Sequence, residues 1–138
     1  FVSKLREAAA ALAGPGDVAW TRGGDADRVN LVLCAAIKIC DIGHVSTVLH
    51  VHVQWSERLE EELFRQGDME RALGQPVSQL MDREKEGVTK TQDGFFKGVA
   101  RPLAQAWVGL FPASAFLLPL LDANCAYWSS AAAAGMPP

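Results

Sequence analysis

The sequence has no excess of basic residues and few cysteines. Its 13 lysines and arginines against 16 aspartates and glutamates give a formal net charge of −3, so a basic surface is not expected and nucleic acid is excluded as a predicted partner. The three cysteines, Cys34, Cys40 and Cys125, form no C-x-x-C pair. They predict buried, reduced thiols in a protein of the cytoplasmic type, not a disulfide framework or a zinc knuckle.

Long apolar runs are also missing. The longest, from Phe111 to Leu121, has 11 residues and contains two prolines, whereas a helix that spans a bilayer needs about 20 apolar residues. The N-terminus carries no apolar stretch followed by a small-residue cleavage site. We therefore predict a cytoplasmic location with no membrane segment in these residues. Because the chain begins with Phe1 and not methionine, we also expect a fragment of a longer protein.

A helical pattern runs along nearly the whole chain. Strong helix formers, apolar residues three or four apart, and Gly or Pro at the breaks predict a single all-α domain. Asp27 is the predicted N-cap of the second helix, Gly67 and Gly74 close the third and fourth, and Pro102 is expected to bend the fifth. The second helix is apolar on most sides, which predicts burial. The predicted helices cover about residues 3–13, 28–40, 47–66, 69–73, 89–111 and 112–133.

All three histidines lie within nine residues, at 44, 50 and 52, and Asp41 precedes them. His50 and His52 are two apart, so on a helix they point to different sides and cannot bind one ion together. Asp41 and His44 could share a metal, but a stable zinc site takes three or four protein ligands. Asp41 is therefore either a metal ligand or a turn carboxylate bonded to neighbouring amides. His50 is predicted to be a surface or packing residue, and His52 to face a cleft or a core partner.

Gln92 and Phe95 form a second candidate pair. Because they are spaced by three on a predicted helix, they can present an amide and an aromatic ring to one flat ligand. Many helices contain such a pair, so the spacing by itself identifies no ligand.

Several motifs occur in an order that is typical of one family. Glu61-Glu-Leu-Phe-Arg-Gln-Gly-Asp-Met-Glu70 is followed, 22 residues after Glu70, by Gln-x-Gly-Phe, and Asp41 lies in the sequence AIKICDIGH. With these motifs the chain resembles the class I 3′,5′-cyclic-nucleotide phosphodiesterases, collinearly from about residue 28 to 111 and more loosely through 122–128. The resemblance implies that residues 1–138 are the C-terminal portion of a single all-α, HD-like catalytic domain.

The resemblance implies a hydrolase that uses two divalent metal ions, zinc and then magnesium or manganese. These ions activate a hydroxide that opens the cyclic phosphate of cAMP or cGMP to give a nucleoside 5′-monophosphate. Asp41 matches one metal ligand. The family's other ligands, in HNxxH and HD motifs, are absent from this sequence. We expect them upstream of Phe1, in the other half of the catalytic domain, and we expect these residues alone to be inactive.

The resemblance also implies a purine pocket. The side-chain amide of Gln92 can both donate and accept a hydrogen bond, so it can pair with adenine or guanine. The preference between cAMP and cGMP therefore stays open. The alternative is a non-catalytic helical module, derived from such an enzyme, that binds a nucleotide or a protein partner. The matched pocket residues are Gln92 at the purine edge, Phe95 and Leu59 on the two faces of the base, and Trp55, His52 and His44 around it.

Overall fold

The computed structural model describes the backbone of residues 1–12 and 26–134, together with their side chains except those of residues 8–12. No strand occurs in these ranges, and the all-α prediction is confirmed. None of the described helices is long and apolar enough to cross a bilayer. The described α-helices are α1 Val2–Leu12, α2 Ala26–Asp41, α3 Leu49–Ala72, α4 Gln92–Phe95, α5 Arg101–Leu110 and α6 Leu117–Ala134.

The first two helices lie close to their predicted positions. Helix α1 begins one residue before the predicted start, and the predicted last residue, Ala13, lies outside the described residues. The assignment of Asp27 as an N-cap is wrong, because Asp27 lies inside the first turn of α2. A carboxylate at that position still interacts favourably with the positive end of the helix dipole.

Helix α2 is less buried than its apolar sequence predicts. Ala35 is buried against α1 and α5, but Leu33 is 58% exposed and Ile37 is 69% exposed. The described residues leave these two side chains uncovered, so the prediction of an all-round buried helix is wrong for them. The predicted burial of the cysteines is also wrong, because Cys40 is exposed and Cys34 and Cys125 are only partly buried; all three are free thiols, as predicted.

Gly67 does not end a helix. Helix α3 continues through it to Ala72, so the two predicted helices are one. Gly67 is buried, and a Cβ atom built there would lie 1.8 Å from the carbonyl oxygen of Met81. The glycine therefore lets the loop after α3 pack directly on the helix backbone. The predicted end at Gly74 is confirmed, because its φ of +69° is the left-handed conformation typical of a C′ glycine.

The fifth predicted helix is interrupted before Pro102, as expected. A turn of π-helix, Phe96–Ala100, separates α4 from α5. Pro102 has no N–H to donate and its ring crowds the carbonyl four residues earlier, so a wider turn at this point relieves the conflict. Pro112–Ser114 then forms a 3₁₀ turn before α6, instead of the first turn of the last helix.

Two groups of buried apolar side chains hold the helices together. The first joins the turn after α2, the π-helical turn, α5 and α6, and the second joins α1, α2 and α5. Burial of a side chain such as Phe96 or Leu5 stabilises the fold by about 1.5–3 kcal/mol. The first group consists of Val45, Phe96, Ala100, Ala104, Leu121 and Trp128, and the second of Leu5, Ala35, Leu103 and Ala106.

Candidate functional site

A pair of histidines links the turn after α2 to α3. His44 lies in the 3₁₀ turn Gly43–Ser46 and His52 near the start of α3, and their Nδ1 atoms are 3.0 Å apart. His52 is 0% exposed, and its Nε2 atom accepts a hydrogen bond of 2.7 Å from the indole Nε1–H of Trp128. The ring of Phe96 packs edge-on against His52. His52 therefore faces a core partner, one of the two surroundings predicted for it.

Burial keeps both imidazoles neutral at pH 7. Loss of solvent, and then the proximity of His44, lowers the pKa of His52 from 6.5 to about 4. Burial also lowers the pKa of His44. A charged imidazolium loses hydration when it is buried, whereas the neutral ring loses much less. The pair thus forms a neutral hydrogen-bonded unit.

Asn124 of α6 holds the turn that carries His44. Its Nδ2 group donates hydrogen bonds of 2.9 Å to the carbonyl oxygens of Val45 and Thr47. The hydroxyl of Thr47 donates at 2.7 Å to the carbonyl oxygen of His44. These bonds fix the backbone of the turn, and the contact with Nδ1 of His52 orients the His44 ring on it.

Gln92 begins α4 and has half of its amide unpaired. Its Nε2 group donates to the carbonyl oxygen of Val88 at 3.1 Å, which fixes the orientation of the amide. Its Oε1 atom is buried and has no hydrogen-bond partner among the described residues. Leaving a buried acceptor unpaired costs about 1–3 kcal/mol. The predicted purine-pairing residue is therefore the one buried, unpaired side-chain polar group that the described residues contain.

Two polar contacts fix the segment around Gln92. Glu60 of α3 accepts hydrogen bonds from the backbone N–H and the hydroxyl of Thr89. Asp93 accepts from Lys97 at 2.8 Å and from the hydroxyl of Ser129 on α6. Lys97, and then Ser129, lower the pKa of Asp93. The helix that presents Gln92 is thus joined to α6, and the segment just before it is joined to α3.

The predicted base-stacking residues, Phe95 and Leu59, lie on two different helices. Phe95 of α4 is partly buried and packs edge-on against Phe96, with the ring centroids 6.4 Å apart. Leu59 and Trp55 share one side of α3, four residues apart, and are 38% and 52% exposed. The structure therefore places Gln92 and Phe95 on α4, and Trp55 and Leu59 on α3.

Asp41 is the last residue of α2 and is exposed. Its carboxylate makes no hydrogen bond or ion pair with the described residues, so it is not bonded to neighbouring amides there. Within the described parts of the chain, no three His, Cys, Asp or Glu side chains are grouped so that they could hold a metal ion. Asp41 is thus a single exposed carboxylate three residues before His44.

Charged residues line an open cleft of about 750 Å³ on one side of α3. The wall is formed by a single helix, and long charged side chains on a solvated helix surface produce such a depression. None of the predicted site residues lines it. We assign no function to this cleft.

The sequence model of the 3′5′-cyclic nucleotide phosphodiesterase family matches residues 2–121. The chain belongs to this family. The resemblance found from the motifs around Asp41 and Gln92 is thereby confirmed.

Curated relatives and a solved structure agree with this membership. The protein named 3′,5′-cyclic-AMP phosphodiesterase 4C of Rattus norvegicus is 34% identical over 105 residues, which are 75% of this chain and 19% of that protein. The protein named "Probable 3′,5′-cyclic phosphodiesterase pde-3" of Caenorhabditis elegans is 41% identical over 90 residues, 64% of this chain and 13% of that protein. The crystal structure of the phosphodiesterase domain of the Salpingoeca rosetta rhodopsin phosphodiesterase matches with a TM-score of 0.78 and 27% identity, covering 97% of this chain and 40% of that chain. The chain therefore spans less than a fifth of the length of these two curated relatives.

Two residues that support the histidine pair were not singled out from the sequence. Trp128 lies 76 positions after His52, and Asn124 lies 79 positions after Val45. No helical spacing connects residues so far apart. The looser match of residues 122–128 to the family was the available indication, but it identified no role for either side chain.

Proposed function

We propose that the protein containing this chain hydrolyses 3′,5′-cyclic nucleotides, cAMP or cGMP, to nucleoside 5′-monophosphates. We further propose that residues 1–138 form the C-terminal portion of its single catalytic domain and supply the purine pocket and one metal ligand. The family match over residues 2–121 supports the reaction class. The buried, unpaired Oε1 atom of Gln92 is the observation that carries the binding role.

Gln92 is proposed to bind the purine edge through this oxygen. Its Nε2 group is engaged by Val88, so the amide offers an acceptor. Adenine has an amino group and guanine a ring N–H that can donate to it, so this contact admits both bases. Because Gln92 is 4% exposed, a base reaches it only after a covering side chain moves.

Phe95 and Leu59 are proposed to pack against the two faces of the base. An aromatic ring and an aliphatic side chain both suit a flat apolar surface, and neither requires hydrogen bonds from it. Trp55, which is 52% exposed, offers further apolar surface beside them. His44 is proposed to line the pocket directly, and the fully buried His52 to act on the pocket through His44.

Asp41 is proposed to be one ligand of a metal site that residues outside the described ranges complete. A carboxylate oxygen is a suitable ligand for zinc, magnesium and manganese. The C-terminal end of α2 carries partial negative charge from its unpaired carbonyl groups, so a carboxylate there is unfavourable unless a cation lies nearby. Bound divalent ions would lower the pKa of water and so supply the nucleophile.

The upstream half of the catalytic domain is the proposed partner of this chain. Leu33 and Ile37 are exposed on α2, the helix that ends at Asp41. Apolar surface of this kind commonly marks a contact with another protein segment. The cytoplasmic location stays a prediction.

Hydrolysis of cAMP and cGMP with zinc and magnesium tests the proposal. We expect activity for the full-length protein and none for residues 1–138 alone. Full activity of residues 1–138 would contradict the shared metal site. A full-length protein that binds nucleotide without turnover would instead favour the non-catalytic module.

A further inference from the structure

Trp128, His52 and His44 form a chain of hydrogen bonds whose direction can be derived. An indole Nε1–H can only donate. Because it lies 2.7 Å from His52 Nε2, that nitrogen must accept and carries no proton. A neutral imidazole has one N–H group, so the proton of His52 is on Nδ1.

The same reasoning assigns the tautomer of His44. Its Nδ1 atom lies 3.0 Å from the protonated Nδ1 of His52, so it must accept. The proton of His44 is therefore on Nε2. A charged His44 would place two N–H groups against each other at this contact, and the lowered pKa values of both histidines are consistent with neutral rings.

The Nε2 edge of His44 is open. His44 is partly exposed, its Nε2 atom has no partner among the described residues, and it is not among their buried, unpaired atoms. Asn124 and Thr47 hold the backbone from His44 to Thr47 without using the imidazole. The open edge therefore points in a direction that the fold sets.

We propose that Trp128 and His52 fix the tautomer of His44, so that His44 presents a single N–H donor at Nε2 and selects a hydrogen-bond acceptor on the ligand. The acceptor would be a sugar oxygen, a phosphate oxygen or a ring nitrogen of the nucleotide. This ligand assignment rests on the proposed function. In the opposite tautomer His44 would turn a lone pair toward the same acceptor and repel it. Trp128 and His52 are thus positioning residues, and His44 is a specificity-determining residue.

The tautomers can be measured directly. NMR spectra of the full-length protein labelled with ¹⁵N-histidine distinguish protonated from unprotonated ring nitrogens, and the variants His44→Asn and His52→Asn assign the signals. At pH 7 we expect the proton on Nδ1 of His52 and on Nε2 of His44. A proton on Nδ1 of His44 overturns the proposal.

Trp128→Phe separates the donor from the aromatic packing. Without the indole N–H, His52 can adopt either tautomer, so we expect His44 to show a mixture. Tyr127→Phe changes a neighbouring aromatic residue that contacts Trp128 and leaves the indole N–H in place, so the tautomers should be unchanged. A single, unchanged His44 tautomer in Trp128→Phe overturns the positioning role, even if the variant is less stable.

Binding of adenosine 5′-monophosphate tests the donor role without turnover. His44→Asn keeps an N–H donor and should bind within about 3-fold of the wild type, whereas His44→Leu should bind about 10-fold more weakly. Equal binding by the two variants contradicts a donor role. If the tautomers are as assigned but the protein hydrolyses no cyclic nucleotide, the proposed function fails while the tautomer assignment stands.

Discussion

Glu60 and Thr89, 29 positions apart, are joined by two hydrogen bonds to one carboxylate oxygen. Thr89 lies three residues before Gln92, and Glu60 follows Leu59 on α3. The contact therefore holds the segment just before Gln92 against the part of α3 that carries Leu59. Gly87 is part of this arrangement, because a Cβ atom there would lie 2.1 Å from a carboxylate oxygen of Glu60.

Thr89→Val should weaken both the fold and the pocket. Valine has nearly the shape of threonine but lacks the hydroxyl, so one charge-assisted hydrogen bond is lost. We expect the free energy of unfolding to fall by about 1–3 kcal/mol and the KM for cyclic nucleotide to rise. Thr91→Val, which removes a neutral bond to the Val88 carbonyl oxygen, should lower the stability less. Urea unfolding measures both variants. Equal losses of stability would show that the bond to the Glu60 carboxylate contributes no more than a neutral hydrogen bond.

Gln92→Ala should weaken nucleotide binding and leave the metal content unchanged. Loss of the amide removes the hydrogen bond to the purine edge, which raises KM by an amount equivalent to about 1–3 kcal/mol. Steady-state kinetics and elemental analysis of the same full-length preparation measure the two quantities. Gln105→Ala, on an exposed position of α5, is the control. An unchanged KM in Gln92→Ala would count against the assignment.

Asp41→Asn should abolish turnover by loosening a metal ion. Asparagine preserves the shape of the side chain but removes the negative charge that a divalent cation requires. Metal content per protein and kcat for cyclic nucleotide are the measurements. Glu62→Gln, at an exposed position of α3, removes a carboxylate from a surface with no assigned role and should change neither. Wild-type metal content and rate in Asp41→Asn would refute the ligand role.

Gly67→Ala should be strongly destabilising. The added Cβ atom would overlap the Met81 carbonyl oxygen at 1.8 Å, so the helix or the loop must move. We expect a loss of more than about 2 kcal/mol in the free energy of unfolding. Gly98→Ala is the matched control, because a Cβ atom there meets nothing within 4 Å; it should be neutral or stabilising by up to about 1 kcal/mol. Similar stabilities for both variants would falsify the packing role of Gly67.

The histidine pair should make the fold sensitive to mild acid. His52 has a pKa of about 4 in the folded protein and 6.5 as its ordinary value, so the unfolded state binds more protons between these limits. Stability from His52 is complete above about pH 6.5 and is lost as the pH falls toward 4, by about 1.4 kcal/mol per pH unit.

NMR titration of His52 and urea unfolding at pH 7 and pH 5 check this dependence. We expect His50→Gln, at an exposed position, to lose as much stability between pH 7 and pH 5 as the wild type. His52→Gln should lose less. A titration of His52 near its ordinary pKa would contradict the burial argument.

Local chemistry in the sequence determined much of the helical structure. Helix formers and apolar spacing placed α1 and α2 within two residues and the end of α6 within one, Gly74 ended α3, and Pro102 marked the interruption before α5. Each of these effects acts over at most one or two helical turns, so a single sequence contains it. The motifs around Asp41 and Gln92 also identified the family, which the comparisons confirm. The individual roles of the site residues stay predictions.

Only the tertiary structure decided which side chains meet across the fold. The sequence around Gly67 predicts a helix end. In the structure α3 continues through Gly67, and the backbone of Met81 packs against it. The apolar side chains of α2 predict burial, but burial depends on what lies opposite each side, and Ile37 is 69% exposed. His52 accepts a hydrogen bond from the indole N–H of Trp128, 76 positions away. Contacts over such separations arise from helix packing, which the order of residues along one helix does not specify.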